Sequence, residues 1–351
     1  MSPRSVIVLA AVTAVALIGA IIAMIAEPRA TPRSSEDRLV LAGLAERMSD
    51  VTQIVIVSAG GDLTMARDSS GSWSMPTKDG FTAKADRVRE FLVGLGDLRY
   101  REAKTGRAER HARLNVEDPG AEGTQSSLVT LHDASGQELG SVIVGRPRSY
   151  AFGAKELGTY IRLPGDPQAW LATGRVDAGA SFRDWVDRNI IDLDMDVIRS
   201  MSVRQPDGTE LTVLRREGEP GFVVAGDPAI PSGQRLDQSE VNFLPTGIAY
   251  LDLDDVAAAQ EFAFPEPVHT AEVNLSDGRR IIAETVDRDG EVWVRLRAFS
   301  APDGDSGWVE SFNARVGPWA YRVPDFKIKK LRGTLGDLLE PIPHEGPEPT
   351  Q

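Results

Sequence analysis

Two short acidic alternations are the first residues of this chain whose type and spacing could do chemistry. Asp192-Leu193-Asp194-Met195-Asp196 and Asp252-Leu253-Asp254-Asp255 set carboxylates at alternate positions. On an extended segment alternate side chains point to one side. Such a row could offer oxygens to a hard cation, or supply the paired carboxylates of acid–base hydrolysis. A calcium loop also needs Gly at its sixth position and Glu at its twelfth. Counted from Asp192, these positions hold Val197 and Val203. Asp also punctuates strand ends and keeps sheet edges soluble. That reading is preferred, and no metal or other cofactor is expected.

The four histidines, His111, His132, His269 and His344, stand far apart, none at metal-ligand spacing from another. The chain has no His-Glu-x-x-His, no Gly-x-Ser-x-Gly and no Gly-Lys-Ser/Thr phosphate loop. Zinc hydrolysis, the hydrolase elbow and nucleotide binding therefore lose their usual signatures. A triad joining His132 or His269 to a distant Ser would leave no local trace, but a lone strand histidine is more often structural. No catalytic, cofactor-binding or metal-binding residue is assigned.

Positive groups form two sets. Arg162, Arg188, Arg295 and Arg322 recur on strands and could hold an anion. More often such stems cover apolar surface while the guanidinium pairs nearby, as Arg188 could with Asp184 or Asp187. Lys327, Lys329, Lys330 and Arg332 form the one basic cluster, on a helix expected from Phe326 to Leu339 and weakened by Gly333 and Gly336. It reads as a solvated helix face, the other possibility being contact with anionic headgroups or an acidic partner.

The elements that must position these residues follow from composition and patterning. The chain has 351 residues, 52 acidic against 39 basic, a formal charge of −13 and no cysteine. An acidic chain without a basic stripe is a poor nucleic-acid binder. Zero cysteines exclude disulfide scaffolds, thiol catalysis and lipobox attachment. Val6 to Ala26 is an uncharged apolar run, about 31 Å long as a helix, which matches the hydrocarbon core of a bilayer. A signal-peptide core is shorter, so a retained single-pass anchor is expected. A short tip at 1–5 and a long following body predict N-inside, with the body outside the cytoplasm, although Arg29, Arg33 and Arg38 follow the run and only Arg4 precedes it. Residues 27–38 read as a linker, and the proline-rich 340–351 as a disordered tail.

Between them an internal repeat is expected, with a first module at 39–195 and a second at 196–339. Ile54-Val55-Ile56 and Leu63 to Arg67 flank Gly60-Gly61-Asp62; Met201-Ser202-Val203 and Leu211 to Arg215 flank Pro206-Asp207-Gly208. Alternation around such turns signals a hairpin. Each hairpin precedes a Gly-x-aromatic or Gly-aromatic step, Gly71-Ser72-Trp73 and Gly221-Phe222. A helix then follows in each copy. Val88, Phe91, Leu92 and Leu95 share one face, with Thr82 as the expected cap and Gly96 at the end. Val241, Leu244 and Ile248 keep that spacing, with Asp237 and Glu240 at capping-box distance and Pro245 as an early break. Hairpins around Ser135-Gly136 and Asp277-Gly278 come next. Tyr160 to Leu163 then corresponds to Trp293 to Leu296, and Trp185 to Arg188 to Trp319 to Arg322. The tryptophans are expected in the core. The fold class is α+β: a β-rich tandem repeat of antiparallel sheet modules, each with a packed helix, preceded by one transmembrane helix.

On Val6–Ala26, Gly71-Ser72-Trp73, Leu114 to Pro119, Val144-Gly145, Tyr160-Ile161-Arg162 and Asp184 to Arg188, the chain resembles the domain-of-unknown-function family 4340 over nearly its whole length. It departs from the family pattern at Arg113, where the family has Gly, and at Val116, where it has Asp or similar. The resemblance implies a membrane-anchored envelope protein linked to an ABC-type export system and a gliding-motility-like auxiliary protein, with no catalytic residues to carry over. The expected function is a non-enzymatic accessory protein associated with an ABC-type transporter or auxiliary subunit. The alternative is a carboxylate-dependent enzyme acting on an envelope polymer through Asp192, Asp194, Asp252 and Asp254.

Overall fold

The computed structural model describes residues 37–120, 123–152, 157–179, 181–266, 268–301 and 306–342. The expected membrane run, most of the linker, the tail beyond Ile342 and His344 lie outside the described residues. Among the described residues no helix is long and apolar enough to cross a membrane.

The first sheet is built from β1 (Gln53–Ser58), β2 (Gly61–Arg67), β3 (Trp73–Met75), β4 (Phe81–Thr82), β5 (Arg99–Thr105), β6 (Ser127–His132), β7 (Glu138–Arg148), β8 (Gly158–Arg162) and β9 (Ala169–Thr173). Its antiparallel order is β4-β3-β2-β1-β6-β7-β8-β9-β5. The period-two pattern sets its inner face: Ile54 and Ile56 of β1 and Val129 and Leu131 of β6 are buried on one side. Helix α1 (Ala85–Asp97) lays Val88, Phe91, Leu92 and Leu95 on that face. Thr82 does not cap it, because Thr82 is paired in β4 and Lys84 stands at the cap position. Gly96 lies buried inside the helix rather than ending it, and Leu98 follows as the last cap.

Strand β10 (Asn189–Asp192) leaves the first sheet and pairs with a later strand. Then come β11 (Ile198–Arg204), β12 (Glu210–Leu214), β13 (Val223–Val224), β14 (Gln234–Leu236), α2 (Gln238–Phe243), α3 (Thr246–Ala249), β15 (Tyr250–Asp252), β16 (Asp255–Ala258), β17 (His269–Leu275), β18 (Arg280–Arg288), β19 (Glu291–Phe299), α4 (Ser306–Val316), β20 (Trp319–Arg322), α5 (Asp325–Leu331) and β21 (Leu339–Pro341). The second sheet runs β13-β12-β11-β17-β18-β19-β20-β16. Pro245 divides α2 from α3 as its missing N–H requires. Asp237 caps α2 through the amides of Ser239 and Glu240.

Three sequence expectations need correction. Trp185 to Arg188 lies outside any strand whereas Trp319 to Arg322 forms β20, so the two stretches expected to correspond do not take the same structure. The last helix stops at Leu331: Gly333 lies against Leu244, and Thr334 and Asp337 start a separate single turn with a capping box. The expected tail boundary at 340 is also too early, since β21 pairs with β14 and the Ile342 amide reaches Gly233.

The inner faces of both sheets share one continuous buried cluster, from Val40 to Leu338. Trp185 is fully buried at its centre, edge-on to Phe91 at 5.0 Å, with its indole N–H on the Gly179 carbonyl. Before β1, residues 37–40 run along the edge of β5. The amides of Asp37 and Val40 donate to Tyr100 and Leu98, and the Tyr100 amide donates back to Arg38.

Candidate functional site

The motif residues of the first sheet meet on its outer face. Ile143, Tyr160, Ala169 and Leu171 form a second, smaller core there with Val116 from the β5–β6 connection. Arg162 fixes that connection. Its side chain is 5% exposed. Nε donates to the Val116 carbonyl at 2.7 Å, Nη1 to that of Asp166 at 3.2 Å, and Nη2 pairs with Asp118. Gly145 makes the approach possible, since a Cβ there would collide with the Leu114 and Asn115 carbonyls. His111 pins the same connection through Nε2 to the Pro167 carbonyl at 2.9 Å. Three motif stretches, Leu114 to Pro119, Val144-Gly145 and Tyr160 to Arg162, thus converge on one clamp.

Arg295 lies on β19 of the second sheet. It pairs with buried Glu284 at 2.7 Å and lies over the Phe264 ring at 4.3 Å. Phe264 belongs to the β16–β17 connection, whose Phe262 packs on Trp293 at 4.7 Å. Arg322 pairs with Glu291. Arg188 takes neither expected partner. Asp184 is used by the Ser181 amide and Asp187 by that of Asn189, so Arg188 turns to the Leu253 carbonyl and to Asp254 at 3.9 Å.

The acidic alternations are taken up locally or face solvent. Asp194 caps a turn by accepting the Asp196 amide, and Asp196 lies 3.8 Å from Arg215. Asp254 is held by Arg183 at 2.8 Å and Asp255 by Lys78 at 2.6 Å. The β10–β15 pairing sets exposed Asp192 opposite Tyr250 and exposed Asp252 opposite Asn189. Among the described residues no group of three or more His, Asp or Glu side chains could hold a metal ion. His132 and His269 lie apart, each with a buried Nδ1 that has no partner among the described residues.

The basic cluster also disperses into the fold. Buried Lys327 donates to the Thr246 carbonyl at 2.7 Å, and burial with nearby Lys330 lowers its pKa below that of an ordinary lysine. Lys330 stands 3.8 Å from Glu240, and Arg332 takes both oxygens of Asp287. Lys329 is exposed.

What the sequence reading missed is the seam between the sheets. Asp79 accepts the Ala258 amide at 2.9 Å, Lys78 reaches Asp255, and Phe81 meets Trp319 edge-on at 4.9 Å. Beside this contact opens a cavity of about 190 Å³. Phe81, Trp319, Tyr321, Ile190 and Leu253 line it, together with Thr82, Ala83, Lys84, Asp187, Asn189 and Arg315. Burial raises the pKa of the Tyr321 hydroxyl, opposed by Arg315. Arg315 is itself fixed by donating Nη2 to the Ile190 carbonyl at 2.9 Å. The lining comes from segments more than two hundred residues apart, so no local motif announces it.

This is a β-rich α+β protein in which two antiparallel sheets share one core and arginines pin the connections over their outer faces. The family model described as Domain of unknown function (DUF4340) matches residues 73–269, more than half of the chain, and the chain belongs to that family. No curated protein and no solved structure matches it.

Proposed function

We propose that the chain is a membrane-anchored, non-enzymatic accessory protein of the cell envelope. Val6–Ala26 spans the cytoplasmic membrane once, and the body stands outside the cytoplasm, associated with an ABC-type transporter or an auxiliary subunit. The body is a tandem duplication of one sheet module, fused into a single docking surface. The observation that carries this reading is the use of the family's motif residues. Trp185 fills the shared core, and Gly145, Asp118 and Arg162 fasten one connection to one sheet. A motif used in this way maintains a shape, which is what a binding partner reads. The duplication is supported by the similar order of the antiparallel strands in the two sheets.

Cross-linking in native membranes followed by mass spectrometry tests the assignment. The expected result is cross-links from both modules to an ABC permease or auxiliary subunit, in a fraction that resists alkaline extraction. Release of a shortened mature polypeptide by osmotic shock would overturn the anchor, and anchored protein without such cross-links would overturn the partner.

A further inference from the structure

We propose that the cavity at the seam binds a small monocarboxylate carrying one ring. Three features argue for that ligand. The first is size. A dry cavity of about 150 Å³ accepts benzene, so about 190 Å³ takes one six-membered ring and its first substituent. The second is the lining: Phe81 and Trp319 offer ring faces and edges to a flat apolar body, and Ile190 and Leu253 close the floor.

The third is charge. Lys84 and Arg315 are both exposed, and neither forms an ion pair with a described carboxylate. Arg315 spends one nitrogen on Ile190 and lies over the Phe312 ring at 5.4 Å, and its other nitrogens make no hydrogen bond to a described residue. Asp187 sets one negative charge against these two positive ones, leaving the lining a net +1. A monocarboxylate balances that. A phosphomonoester, with a charge of about −1.5 to −2, meets the repulsion of Asp187 as well. Asn189 and Tyr321 supply neutral hydrogen-bonding groups. Because both sheets contribute, the site exists only while they are docked, and an occupant stabilises the docked form by mass action.

The test is calorimetric titration of the full chain in detergent with phenylacetate, its neutral isostere phenylacetamide, and phenylphosphate. Phenylacetate should bind saturably at one site and roughly tenfold more tightly than the amide, the worth of two partly exposed charge pairs. Lys84→Gln and Arg315→Gln should each weaken it about fivefold. Asp187→Asn should strengthen phenylphosphate binding by a similar factor of about five. The Lys84 side chain makes no hydrogen bond to a described residue, so its variant keeps the test valid even where Arg315→Gln loosens the seam. Absence of saturable heat, equal affinity for acid and amide, or unchanged affinity in the Lys84→Gln Arg315→Gln double variant would each refute the site. These outcomes are independent of whether the membrane run is an anchor.

Discussion

Arg162 is buried while its partner Asp118 is 85% exposed, so the ion pair itself contributes little. Most of the clamp's worth lies in the two carbonyls that Arg162 satisfies, since an unsatisfied buried acceptor costs about 1–3 kcal/mol. Arg162→Ala should therefore destabilise the protein by about 2–4 kcal/mol in urea unfolding. Arg162→Lys should recover only part of this, because an ammonium cannot copy the planar fork. Asp118→Ala should stay within about 1 kcal/mol of the parent. If the Asp118 variant were the worse of the two, the clamp would be electrostatic after all. His269 supports a pH prediction. Burial first, then Arg332, lowers its pKa below the usual 6.5. The unfolded chain thus takes up the proton more readily. Stability should be full above about pH 6.5 and fall as pH drops toward the lower folded value. Urea midpoints measured at several pH values should show this slope in the parent and a shallower one in His269→Gln.

At the scale of elements, the hairpins were legible because alternation and turn chemistry agree. β1 with β2 and β11 with β12 form the expected hairpins, although Gly61 and Asp62, expected in the first turn, already pair in β2. The face of α1 was legible for the same reason. The errors arose where tertiary contacts outweigh local pattern. Thr82 has the chemistry of a cap but is drawn into β4, and the apolar spacing from Phe326 to Leu339 continues past a glycine that packing excludes from the helix. Trp185 resembles Trp319 in local sequence, yet it fills a core position while Trp319 lies on an edge strand's neighbour at the seam. Asp237 was legible as a cap, but Glu240 turns toward Lys330 instead of closing the box. Asp237→Ala should thus cost about 1 kcal/mol, the worth of a single cap. Hydrogen exchange should then rise at Ser239 and Glu240, while α1 stays unchanged.

For the whole molecule, the shared core implies that the two sheets unfold together. Calorimetry of the parent should give one transition whose van't Hoff and calorimetric enthalpies agree. Phe81 is the test of this coupling, because it packs on both Phe182 and Trp319. Phe81→Ala should remove about 2–4 kcal/mol and broaden or split the transition. A single sharp transition at a merely lower temperature would place the coupling elsewhere, in the β10–β15 pair. Neither the seam nor its cavity could be read along the chain. The partners there, Lys78 with Asp255 and Phe81 with Trp319, belong to no common local period.

The stretch 37–40, laced along the edge of β5, has a mechanical consequence on the proposed anchor. On that anchor Glu27 to Glu36 separate the membrane run from this stretch, and ten fully extended residues reach at most about 36 Å. Asp37 then stays within this distance of the lipid, and because both sheets share one core the second is carried with the first as a single body.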